Sequence, residues 1–130
     1  MNKTDVMALS DEELNTTVEE VLGNSIMHTN DGPVVFVSGD PLTGRPVRMF
    51  AGDIETAMSL WRQLPTPRTI KEYVSVQGVL CASVIWGNDP ESCCGFGYFL
   101  WAPQEIVSIP SLMARAFVLE KESPTTKGDS

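Results

Sequence analysis

The sequence predicts an α+β fold, and three observations predict it. Amphipathic helical patterns alternate with β-rich segments, in the order α, β, β, α, β, β, α. The β-rich segments come in pairs joined by turn-rich stretches, which favours a mainly antiparallel sheet covered by the helices. The 130 residues are 42% hydrophobic and 20% charged, an ordinary globular mix. A chain of this length buries roughly two thirds of its unfolded surface, so it can form a core without a metal or disulfide. Residues 1–121 are expected to form one domain. The polar 122–130, with a Pro and a Gly, are expected to form a flexible tail.

The first element is the clearest. In "LSDEELNTTVEEVLGN", residues 9–24, Ser10 and Glu13 have the spacing of a capping box, and Leu9 is placed to staple onto Leu14. Leu14, Val18, Val21 and Leu22 recur on one helical face. Gly23 supplies a left-handed stop. "PVVFVSG", residues 33–39, and "RPVRMF", residues 45–50, read as two strands of a hairpin around "GDPLTG". Pro46 lacks a ladder donor and points to an edge or a strand start.

The spacing predicts a second helix over 52–65, with Ile54, Ala57, Met58, Trp61 and Leu64 on one face. Asp53 and Glu55 lie in its first turn, where the helix dipole favours negative charge. The stretch 72–87 is strongly β but long for one strand, so Gly78 is expected to break it. Val74, Val76, Leu80, Ala82, Val84 and Trp86 share its apolar phase. A further strand is expected over 94–102. The closing helix is expected over 108–121, with Pro110 at its start and Leu112, Met113, Ala116 and Phe117 on its apolar face.

The net charge is −8. A dominant basic surface for nucleic acid is thereby disfavoured, as is docking on anionic lipid. No run of about 20 apolar residues could span a membrane. Three cysteines form no disulfide framework, which points to reduced thiols and a cytoplasmic setting in a host cell. Cys93 and Cys94, in "NDPESCCGFG", read as the end of a hairpin. Asp89 and Glu91 would raise a thiol pKa, no Lys or Arg lies between Lys71 and Arg115, and adjacent cysteines do not have zinc spacing. His28 reads as a solvated loop residue. No base, nucleophile or metal set is legible, so neither enzymatic activity nor a cofactor is expected.

Charge is unevenly distributed. Residues 1–31 carry seven acidic residues against Lys3 alone. On a helical wheel Glu12, Glu13, Glu19 and Glu20 fall opposite the apolar stripe of the first helix. Residues 45–71 carry Arg45, Arg48, Arg62, Arg68 and Lys71 against Asp53 and Glu55. The expectation is an acidic helix face and a modest basic patch.

"SDEELNTTVEEVLG", "AGDIETAMSLWRQL" and "IPSLMARAFVLE" resemble the opening, second and closing helices of the phage ABA sandwich family, small uncharacterised proteins of phages and prophages. The resemblance implies a phage or mobile-element origin and no catalytic residues. It favours a binding protein whose Glu12, Glu13, Glu19 and Glu20 dock on a basic surface of a host protein. Nucleases and CRISPR effectors have such surfaces because they hold phosphate backbones. The alternatives are a nucleotide or small-molecule binder that uses Arg45, Arg48, Arg62 and Arg68, and an accessory phage protein without enzymatic activity.

Overall fold

The computed structural model describes residues 3–36, 44–87 and 98–122. The class is α+β: among the described residues there are four helices and two three-stranded antiparallel sheets. In chain order the elements are α1 (Lys3–Ala8), α2 (Asp11–Val21), β1 (Ser25–Thr29), β2 (Gly32–Phe36) and β3 (Gly44–Pro46). Then follow α3 (Ile54–Trp61), β4 (Arg68–Val74), β5 (Leu80–Trp86), β6 (Tyr98–Pro103) and α4 (Ile109–Glu122).

Local chemistry accounts for α2. The Ser10 hydroxyl accepts from the Glu13 amide at 3.1 Å, and the Glu13 carboxylate accepts from the Ser10 amide at 2.9 Å, closing the capping box. At the other end Gly23 adopts φ +93°. The Gly23 amide donates to the Glu20 carbonyl and the Asn24 amide to the Glu19 carbonyl. This is the paired pattern that a left-handed residue permits. Asp53 caps α3, accepting from the Glu55 amide and from the Thr56 hydroxyl.

Two elements lie where no regular structure was expected. A helix as short as α1 is marginal in isolation. Here it is docked: Val6 is buried and its carbonyl accepts from Arg115 Nη1 at 2.7 Å. Strand β1 occupies the segment read as a loop, so His28 is an exposed strand residue. Only Ile26 of that strand is even half-buried, so it shows no alternation. It is an edge strand, paired with β2 from Ser25↔Phe36 to Thr29↔Gly32. Strand β3 is the other edge of that sheet, as Pro46 led one to expect. The expected connection at 39–44 falls largely outside the described residues, and Cys93 and Cys94 lie wholly outside them.

The long β stretch is broken at Gly78, whose φ of +82° turns β4 into β5. The break also divides the apolar phase. Ala82, Val84 and Trp86 are fully buried, whereas Val74, Val76 and Leu80 at the turn are exposed. In β4, β5 and β6 the even-numbered residues face α4 and the odd-numbered ones face away, in the register Lys71↔Ser83↔Trp101.

Helix α4 is the centre of the domain. It packs against α1, α2, α3, β5 and β6. Every residue from Ser111 to Glu120 is buried, including the expected face Leu112, Met113, Ala116 and Phe117. The expectation of one apolar face was therefore too narrow. A helix enclosed on all sides must bury its polar residues too, and these are paired. Glu120 accepts from the Trp86 indole at 3.1 Å. Arg115 donates to Ser111 Oγ, to the Val6 carbonyl and to Asp11. From α3, Trp61 (6% exposed), Ala57 and Leu60, with Leu64 just after the helix, complete the core, but Ile54 is exposed, so that face is rotated toward Leu60.

Candidate functional site

The four glutamates singled out on α2 do not form one surface. Successive residues turn about 100° around a helix. Glu12, Glu13, Thr16, Thr17 and Glu20 therefore share one outward arc, while Glu19 lies toward the buried side with Asn15. Glu12, Glu13 and Glu20 are exposed and Glu19 is fully buried. Placing Glu19 on the outer face is thus corrected by the structure.

Glu19 is buried because sheet 1 (β1–β3) supplies it with donors. Arg45 grips it with both terminal nitrogens, Nη1 to Oε2 at 2.7 Å and Nη2 to Oε1 at 2.8 Å. Arg48 adds Nη2 to Oε1 at 3.2 Å and its backbone amide to Oε2 at 3.2 Å. Asn24 Nδ2 donates to Oε1 at 3.0 Å. Burial raises the Glu19 pKa, but the bonds from Arg45, Arg48 and Asn24 outweigh it and hold the carboxyl at about 2. In return Glu19 pushes the Arg45 guanidinium up. The clasp joins the C-terminal end of α2 to β3 and the segment after it. The helical wheel sets Glu19 about 100° from Glu20, on the Asn15 side, but by itself does not show that it is buried. The available signal was the pair of arginines spaced three apart in "RPVR".

The same contacts dissolve the expected basic patch. Arg45 and Arg48 are engaged by Glu19. Arg68 donates to the carbonyls of Trp61 and Leu64, closing the end of α3. Arg62 lines a shallow cleft on α3 with Ile54, Glu55 and Met58. These arginines do different jobs in different places and do not converge as an anion site would require.

The outward arc of α2 remains charged. Among the described residues, no Lys or Arg forms an ion pair with Glu12, Glu13 or Glu20. The Ser10 amide and hydroxyl lower the Glu13 pKa, so that carboxylate stays ionised while it caps the helix. Asp11, next to this arc, is paired with Arg115 at 3.3 Å. What this surface offers chemically is fixed negative charge on a rigid helix, with Thr16 and Thr17 between the carboxylates. Both threonine hydroxyls donate to the Glu13 carbonyl.

Among the described residues no cluster of His, Cys, Asp and Glu is placed to hold a metal ion, and no helix is long and apolar enough to cross a membrane. No protein-family model matches the sequence, and neither a curated protein nor a solved structure is significantly similar to the chain.

Proposed function

We propose that the protein acts by binding, and that the outward arc of α2 docks on a basic surface of a host protein that handles nucleic acid. One observation carries this reading. Glu12, Glu13 and Glu20 stand exposed on one helix face without a basic partner among the described residues, while the domain's own arginines at 45 and 48 are taken by Glu19. An internal cation close to the arc would have neutralised it. The surface is instead left to complement arginines and lysines that otherwise grip phosphate. In the anti-defence reading, the host target is a nuclease or CRISPR-type effector and the protein inhibits it by occupying its groove. The resemblance to small phage proteins supports that setting.

The test compares captures from bacterial lysate by the native protein and by a Glu12→Lys/Glu20→Lys variant. The two reversals change the charge by four units. They should slow association sharply, since steering acts mainly on the on-rate. Added salt should weaken native binding, because exposed charges are screened over about 8–10 Å. Identical captures by both baits, at low and at physiological salt, would refute this reading.

A further inference from the structure

The outer face of the β4–β5–β6 sheet points away from α4. Three of its side chains are aromatic and about half exposed: Trp101 at 50%, Phe99 at 48% and Tyr73 at 42%. Its central row is Lys71, Ser83, Trp101. None of the odd-numbered residues of these strands is acidic, although the chain as a whole carries −8. The face has one cation of its own, Lys71. Lys3 adds a second at the β6 edge, with its Nζ 4.1 Å from the Phe99 ring centroid. An apolar, weakly basic face on an acidic protein is a surface with a specific complement.

We propose that this face is the interface of a homodimer, in which two copies pack sheet to sheet about a two-fold axis running along β5. An isologous contact must complement itself, and the order of residues across the sheet decides which two-fold does so. An axis along β5 lays β4 of one copy over β6 of the other. Lys71 then meets Trp101 of the second copy, twice per dimer, and Thr69 meets Phe99, while the axis passes over Ser83, which is only 9% exposed. A lysine ammonium over an indole face is an attractive contact. An axis across the strands would set Lys71 against Lys71, two like charges in a closing interface. The charges therefore select the first arrangement.

The size of the patch fixes the strength. Half of each of three aromatic side chains is on the order of 100 Å², so the two copies together contribute roughly 600 Å² from these rings alone. Lys71 and the half-buried Thr69, Ile85 and Pro103 bring the total to at most roughly 1,000 Å², the lower limit for a specific interface, since Cys81 and Ser83 are buried in the monomer and add almost nothing. The dimer is therefore weak and depends on concentration. A strongly basic partner is disfavoured by the two lysines, and nucleic acid by the net charge.

Sedimentation equilibrium up to millimolar concentration tests the proposal, using the native chain, Trp101→Lys and Trp101→Glu. Trp101 is half exposed and lies on the face away from the core, so both variants should fold, which thermal melting checks. The native chain is expected to dimerise. Trp101→Lys sets two ammonium groups against each other and should weaken the dimer by about tenfold or more. Trp101→Glu sets a carboxylate against Lys71 and should weaken it less. Unspecific stickiness predicts the reverse order, because an added lysine lowers the self-repulsion of an acidic protein and an added glutamate raises it. Lys71→Glu, on an exposed side chain, is a second handle and should also weaken the dimer. A native chain that stays monomeric, or a Trp101→Lys variant that associates as tightly as Trp101→Glu, overturns the proposal. So does a monomer whose Trp101 face captures only some other protein.

Discussion

Replacing Glu19 by Gln keeps the shape of the side chain and removes its charge. Arg45 and Arg48 would then crowd around a neutral amide that accepts through one oxygen, where six donor contacts now converge on a carboxylate. The cost follows from the titration. The folded state lowers this carboxyl from 4.5 to about 2. A shift of that size corresponds to roughly 3 kcal/mol of linkage between ionisation and folding. The sign follows from the direction of the shift. A depressed folded pKa gives stability that is fully present above the unfolded value and is lost as the pH falls through the folded one. The native chain should therefore lose about 3 kcal/mol from this group between pH 4.5 and about 2. Glu19→Gln should lack that contribution at neutral pH and show a shallower acid limb, so the two stability curves converge as the medium becomes strongly acid. Urea titrations across this range measure both. Glu13, whose pKa the capping box also lowers, is common to both proteins, so the difference between the curves isolates Glu19. Amide exchange should show β1–β3 loosening first in the variant, because the clasp is what ties them to α2. A variant within about 0.5 kcal/mol of the native chain at neutral pH, with an unchanged acid limb, would refute this account.

The remaining expectations are simpler. Trp61→Ala empties a buried site between α3 and the core and should cost about 3–5 kcal/mol in a denaturant titration; a loss under about 1 kcal/mol would mean that the ring is not packed as described. Ser10→Ala removes one half of the capping box and should cost about 1 kcal/mol. Ser10→Gly should cost only a few tenths, and a larger loss for Gly than for Ala would argue against capping as the cause.

The helix ends were legible because capping is local chemistry. Ser10, Glu13 and Gly23 act on neighbours three or four residues away, so their pattern lies within a few letters of sequence. The turn at Gly78 was legible for the same reason. Strand β1 was not, since its residues are almost all exposed and only pairing with β2 makes it a strand. The division of the acidic face was hidden too. Glu19 and Glu20 are adjacent and chemically identical; the helical turn aims Glu19 toward Asn15, and what buries it there is an arginine pair 26 and 29 residues downstream. The aromatic sheet face had a faint signal. Phe99 and Trp101 share one alternation phase while Tyr98, Leu100 and Ala102 share the other, so "YFLWA" is apolar on both sides. A strand that is apolar on both sides reads equally well as one sandwiched in a core.

The position of α4 in the chain has a consequence for synthesis. This helix is the last described element, yet α1, α2, α3, β5 and β6 all pack on it. Until its residues leave the ribosome, the apolar sides of those elements have nothing to close against. Leu14 and Val18 of α2, Leu60 of α3 and Leu100 of β6 wait on Leu112, Met113 and Phe117. The contact between α1 and Arg115 spans 109 residues, close to the longest separation the described chain allows. Contacts of such separation make for late and slow closure. Assembly should therefore be all-or-none once α4 has emerged, with nascent chains halted before residue 109 open to proteolysis and to chaperones. Among the described elements, α4 is the one that makes the rest a fold.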